Sequence, residues 1–230
     1  MDLDKVFVKP SQPPLLDFDD SSSGMVELFP RVWQLLEAAI SPDVNMRRFA
    51  MKELVEMEAV RLLPLIAYFI ATRITDPDVD TRALVVYAIS DALLPDDQGK
   101  PPDETVRQNL LLYLSQMRTR QIYAIIQVLP KYPNLELDVA RLLNACPYAG
   151  NQISDILASR KASLEIRRCA IRMIGLVGYL DAVPALERLL ARLESRLHGQ
   201  ITMSFAPVDM VEDAELIPDI RRSLAFLQSP

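Results

Sequence analysis

A chain of 230 residues, half of them apolar and with only six Gly, has enough material for a large core and favours helices joined by short turns. Its 25 basic and 31 acidic residues leave a formal charge of −6, which argues against the broadly basic surface that gains affinity by neutralising phosphates. No apolar run reaches the roughly 18 residues that cross a bilayer and no basic segment leads into an apolar one at the start, so a soluble, cytoplasmic protein with no membrane contact is expected.

Residues 1–24 carry Pro10, Pro13, Pro14 and the run Ser21 to Gly24, too little apolar surface to fix a fold, and are predicted as a disordered or extended arm. Inside it Leu15, Leu16 and Phe18 alternate with and precede Asp17, Asp19 and Asp20. An apolar centre with acidic flanks can dock as a short segment in another protein's groove, or pack on the first helices of its own chain or on a second copy so as to cap the apolar end of the stack. Lys5 to Val8 is the one short strand candidate, set against the reading of a floppy terminus, and almost no β-structure is expected. A helical domain is predicted over 25–230, opening with Val26, Leu28, Phe29, Val32, Trp33, Leu35 and Leu36, with Trp33 as a core anchor.

The next feature is a phrase that occurs twice, Ser41-Pro42-Asp43-Val44-Asn45-Met46-Arg47 and, 35 residues on, Asp76-Pro77-Asp78-Val79-Asp80-Thr81-Arg82. Side-chain oxygens of Ser and Asp accept from the unpaired amides of a starting helix, Pro is preset for the first turn, and Asp suits the positive end of the helix dipole. Each copy therefore reads as a joint between two helices. Leu62, Leu63, Leu65, Ile66, Phe69, Ile70 and Ile74 recur at helical spacing before the second joint, and Leu84, Val85, Ala88, Ile89, Ala92 and Leu93 follow it. Residues 95–103, rich in Pro, Asp and Gly, are a turn and a hinge candidate. Helices are then expected near 103–117, 119–131, 135–145, 149–160, 163–178 and 181–197, a long inserted loop over 198–213, and a last helix from Ala214 to Leu227. The short segment 135–145 is the expected irregularity. Further copies of the phrase, aligned on their arginines, lie at Gln116 to Arg120, Ser163 to Ala170 and Pro218 to Leu224.

These joints resemble the turn inside HEAT repeats, roughly Asp-Pro-Asp-x-x-Val-Arg between antiparallel helices, over residues 25–228. The resemblance implies an all-α, right-handed α-α superhelix (α-solenoid) of about five helical hairpins. It also implies a structural ladder between repeats, with Arg47, Arg82, Arg120, Arg167 and Arg221 bonding to joint aspartates such as Asp43, Asp76 and Asp78. The alternative use of those arginines is recognition of phosphate or carboxylate.

Signals for chemistry are sparse. His198 is the single His, so no His-based metal site or paired His-Glu motif of the kind used by HEAT-like di-iron hydroxylases can be assembled, and no nucleotide-binding or nucleophile-elbow motif occurs. Cys146 and Cys169 lie in apolar helical context and are expected as buried thiols. No catalytic, cofactor or metal residue is assigned, and the chain is not expected to be an enzyme. A second basic set, Arg118, Arg160, Lys161, Arg168, Arg172, Arg188, Arg192 and Arg196, together with Leu15, Leu16 and Phe18 of the arm, gives the candidate partner-binding residues. The expected function is a protein–protein interaction scaffold or adaptor that presents a concave surface to another protein; self-association through the arm or the ends of the stack is a further expectation. The alternative is a nucleic-acid-binding or DNA-repair enzyme similar to HEAT-like alkylpurine glycosylases, working through a basic groove.

Overall fold

The computed structural model describes residues 23–96, 98–159, 162–200 and 214–228, with side chains placed except at 23–28 and 198–200. Twelve α-helices appear among them: α1 Ser23–Ala38, α2 Val44–Glu56, α3 Ala59–Leu62, α4 Pro64–Thr72, α5 Val79–Ala92, α6 Glu104–Ser115, α7 Thr119–Ile126, α8 Glu136–Asn144, α9 Ala149–Ala158, α10 Leu164–Val177, α11 Val183–Gln200 and α12 Ile217–Gln228. The described residues contain no strand, and no helix among them is long and apolar enough to cross a membrane.

Local chemistry sets the helix boundaries. The Asp43 carboxylate accepts from the Asn45 amide at 2.9 Å, and Asp78 accepts from the Thr81 amide at 2.9 Å. Asp103 and Ser163 cap α6 and α10 in the same way, each answering amides that no helical carbonyl reaches. The stretch expected as one helix over 62–74 is broken. Leu63, which precedes Pro64, is forced into an extended conformation (φ −147°, ψ 144°), so α3 ends there and α4 starts with the proline at its first position. Helix α7 stops at Ile126 rather than near 131, and turns carry the chain through Pro130 to Pro133.

Five helix pairs lie against each other, α1/α2, α4/α5, α7/α8, α9/α10 and α11/α12. On one side α2 packs on α5, α5 on α8, α8 on α10 and α10 on α12. On the other, the 3₁₀ turn Arg73–Thr75 at the end of α4 packs on α7, α7 on α9, and α9 on the 3₁₀ turn Leu180–Ala182 that leads into α11. A single cluster of buried apolar side chains runs through all of these, from Val32 to Leu224. Two helices lie outside this pairing: the short α3, which packs on α4, and α6, which packs on α3 and α4 rather than along α7. The irregular element is thus 104–115, while 136–144, expected to be irregular, takes a regular place between α5 and α10.

Trp33 does not anchor the core. It is 48% exposed, stacked on Phe29 with ring centroids 6.2 Å apart, and its indole N–H donates to Glu37 at 2.8 Å. The buried face of α1 is Val32, Leu35, Leu36 and Ala39, and one position off that stripe a bulky ring has only its own helix to lie on. At the far end α10 and α12 approach closely. A Cβ on Gly175 would stand 3.1 Å from the Ser223 Cα, and the Ser223 hydroxyl donates to the Ile171 carbonyl at 2.9 Å.

Candidate functional site

The joints bring charged residues of successive helix pairs together. Arg47, buried, donates through Nε to Asp76 Oδ2 at 2.9 Å and through a terminal nitrogen to Asp76 Oδ1 at 3.2 Å. Its other terminal nitrogen holds the Ser41 and Pro42 carbonyls of its own turn. The neighbouring Arg48 grips Asp78, with Nε 2.7 Å from Oδ2, and lies 3.0 Å from Asp80. The Arg48 guanidinium holds Asp78 well below the ordinary carboxylate range. Asp80 in turn accepts from the Lys131 ammonium and the Tyr132 hydroxyl of the next turn, which lower its pKa. Two carboxylates of the second joint therefore bridge the first and third turns through charge-assisted bonds.

The expected ladder is realised unevenly. Arg82 occupies the register of Arg47 and holds the Asp76 and Pro77 carbonyls at 2.8 and 3.5 Å. Among the described residues its Nε has no hydrogen-bond partner, since the third turn, Tyr132-Pro133-Asn134, puts Tyr where the second has Asp76. Burial pulls the pKa of Arg82 down. Asp43 is a helix cap and Arg120 is exposed on α7. Arg167 is half-buried in α10, and Arg221 pairs with Glu194 of α11 at 2.7 Å. The strongest later counterpart is one that the arginine anchor did not single out: Arg168, placed like Arg48, donates to Asp219 at 2.9 Å and so ties α10 to α12.

In front of this polar layer lies a groove of about 430 Å³ between α2, α5 and the turn before α8. Its floor is Phe49, Leu84 and Tyr87 with Ala83 and Leu135, and its rim is Arg48, Lys52 and Asp80. Phe49 is 57% and Tyr87 47% exposed, so two rings lie open beside a rim of paired charges, Arg48 with Asp78 and Asp80 and Lys52 with Glu56. The lining has a repeat register: Phe49 and Leu84 stand six residues after the capping Asp43 and Asp78, and Lys52 and Tyr87 nine after them. Sequence reasoning missed the groove, although Phe49 carried a signal: an aromatic residue on α2 off the buried face of Ala50, Met51 and Leu54.

The basic residues singled out in the sequence do not converge there. Arg172 pairs with Glu136 of α8 at 3.2 Å, and Arg168 is bound to Asp219, so both link neighbouring helices. Arg118 is exposed at the start of α7. Arg188 and Arg192 line a second groove of about 400 Å³ between α9 and α11 together with Asp155, and Arg196 continues their exposed stripe. Arg160 and Lys161, the arm residues Leu15, Leu16 and Phe18, and the 201–213 part of the inserted loop lie outside the described residues; His198, expected to open that loop, lies in the last turn of α11, its side chain outside them too. The 95–103 segment is tied as a turn by Asp96, whose carboxylate accepts from the Gln98 and Lys100 amides. Cys146 and Cys169 are buried, and burial pushes both thiols up. Among the described residues no group of three His, Cys, Asp or Glu could hold a metal ion.

Comparison with protein-family models, curated proteins and solved structures yields no match.

Proposed function

We propose that the five helix pairs form a HEAT-like, right-handed α-solenoid and that the chain is a non-catalytic scaffold that binds another protein on the α2–α5–α8 side. The observation that carries this reading is the groove of Phe49, Leu84 and Tyr87. Exposed rings set among fixed apolar side chains are the composition of a binding hot spot, and since Arg48 is bonded to Asp78 and Asp80 and Lys52 lies 3.6 Å from Glu56, the apolar contact rather than the rim charge carries the reading. The Arg47–Asp76 and Arg48–Asp78 pairs supply the rigidity such a surface needs, since they fix α2 against α5. Affinity capture from the source cell with the unaltered chain, set beside a Phe49→Glu/Tyr87→Glu variant, tests it. A partner held by the first and lost by the second, with helicity and melting unchanged, is the expected result; equal retention by both removes the groove from the function.

A second reading, nucleic-acid binding, is favoured by one observation: Arg188, Arg192 and Arg196 recur at four-residue steps on the exposed face of α11. It predicts retention of duplex DNA that weakens steeply with salt and is lost on substitution of these three by Glu.

A further inference from the structure

Helix α11 sorts its charges by direction. Glu187 accepts from Gln228 at 3.2 Å and Glu194 pairs with Arg221 at 2.7 Å, so both acids face α12. Arg188, Arg192 and Arg196 point about 100–180° away from them around the helix, at 3.6 residues per turn. All three are exposed, and none has an ion-pair, hydrogen-bond or ring partner among the described residues. Like charges four residues apart weaken a helix by about as much as opposite charges strengthen it, and no neighbour in the fold offsets that cost here. The row runs about 12 Å at 1.5 Å per residue.

Arg188 and Arg192 stand at the groove between α9 and α11, beside an apolar lining of Leu157, Ala158, Ala185 and Leu189. That combination selects the ligand. A nucleic acid gains little from it, because no lining residue is aromatic and bases have no ring to stack on. Asp155 on the α9 wall, bonded to no cation among the described residues, would also face a phosphate backbone with like charge. An α-helix with acids at i, i+4 and i+8 fits better: its carboxylates recur about every 6 Å, the step of the arginines, and an apolar stripe beside them meets the lining. No described helix of this chain carries two acids four residues apart, so a second copy does not supply the row.

We propose that the α9–α11 groove is a second docking surface, for an acidic amphipathic helix of a partner protein whose carboxylates pair with Arg188, Arg192 and Arg196. It is separate from the α2–α5–α8 groove, which lies on the other row of helices, and a chain with both surfaces bridges two proteins.

Fluorescence anisotropy of the full chain tests this with a labelled peptide of about 18 residues, five turns of helix, that has Glu at three four-residue steps, Leu on the adjoining stripe and Ala or Gln elsewhere. Each exposed Arg–carboxylate pair contributes a factor of about three, so Gln in place of the three Glu is expected to weaken binding about thirtyfold. Arg188→Glu/Arg192→Glu/Arg196→Glu should weaken it at least as much, and that variant is expected to bind the peptide with Lys in place of Glu, a rescue that a misfolded protein cannot give. Absence of that rescue, no binding of the Glu peptide up to about 1 mM, or equal binding of its scrambled sequence would each overturn the proposal. So would a duplex DNA that binds more tightly than the peptide at about 150 mM salt and is lost with the same three arginines, in that case in favour of nucleic acid. Phe49→Glu/Tyr87→Glu should leave the peptide's affinity unchanged, so that failure of either surface is read apart from the other; a loss there would overturn their separation.

Discussion

Replacing Asp76 by Asn removes one charge from the least exposed ion pair of the protein's first two joints, where the side chains of Arg47 and Asp76 are 10% and 2% exposed. The carboxylate receives two bonds from Arg47, at 2.9 and 3.2 Å, and one from the Asp78 amide at 2.9 Å. Asn keeps one acceptor and turns an N–H₂ group toward a guanidinium or an amide. The result is a buried cation with no counter-charge, for which the expected loss is about 3–5 kcal/mol. Summing the lost bonds gives a similar figure, since each charge-assisted bond contributes about 1.5–3 kcal/mol. Urea unfolding followed by circular dichroism reads this as a lowered midpoint at unchanged slope. Arg82→Met is the internal control. Arg82 holds two carbonyls and no carboxylate of the third turn, so its loss should cost only about 1–2 kcal/mol. If Asp76→Asn costs less than about 1 kcal/mol, or no more than Arg82→Met, the joint pair does not clamp α2 on α5.

Gly175→Val would force α10 from α12, because even a Cβ there stands 3.1 Å from backbone; a loss of about 1–3 kcal/mol is expected, read by thermal melting. Asp43→Ala removes the cap of α2, whose bond to the Asn45 amide is 2.9 Å, and should cost about 1 kcal/mol in the same assay. Acid should destabilise the joints. Arg48 holds Asp78, and Lys131 with the Tyr132 hydroxyl holds Asp80, below the ordinary aspartate value of 3.8. A carboxylate with a depressed folded pKa contributes stability that is complete above the ordinary value and is lost as pH falls through the folded one, because the unfolded chain takes up the proton first. The melting temperature should therefore drop as pH falls below about 4, and less steeply in Asp78→Asn, measured by calorimetry across acid buffers.

The two joints were legible because their chemistry is local: Asp43 and Asp78 cap the helices that follow them within the same few residues. The third joint was not, because it has Asp138 where the others have Arg47 and Arg82, and an alignment anchored on arginine passes over Tyr132-Pro133-Asn134. The place of α6 was hidden for another reason. Its apolar stripe, Val106, Leu110 and Leu114, is buried like that of any paired helix, and periodicity tells that a face is covered but not by which neighbour. The basic set of the second half misled because charge in sequence is blind to pairing; Arg168 and Arg172 are spent on Asp219 and Glu136 of other helices. As for the groove, Phe49 lies off the buried stripe of α2, but Tyr132 and Leu135 reach it from a turn more than 80 residues later, which no local pattern conveys.

Hydrogen–deuterium exchange of the full chain with and without its captured partner tests most directly whether the α2–α5–α8 side is the working surface. Protection is predicted in peptides covering α2, the first three turns of α5 and the 131–136 turn, with α9 and α11 unchanged. Protection confined to α7, α9 and α11, around the Arg188 to Arg196 stripe, would contradict it.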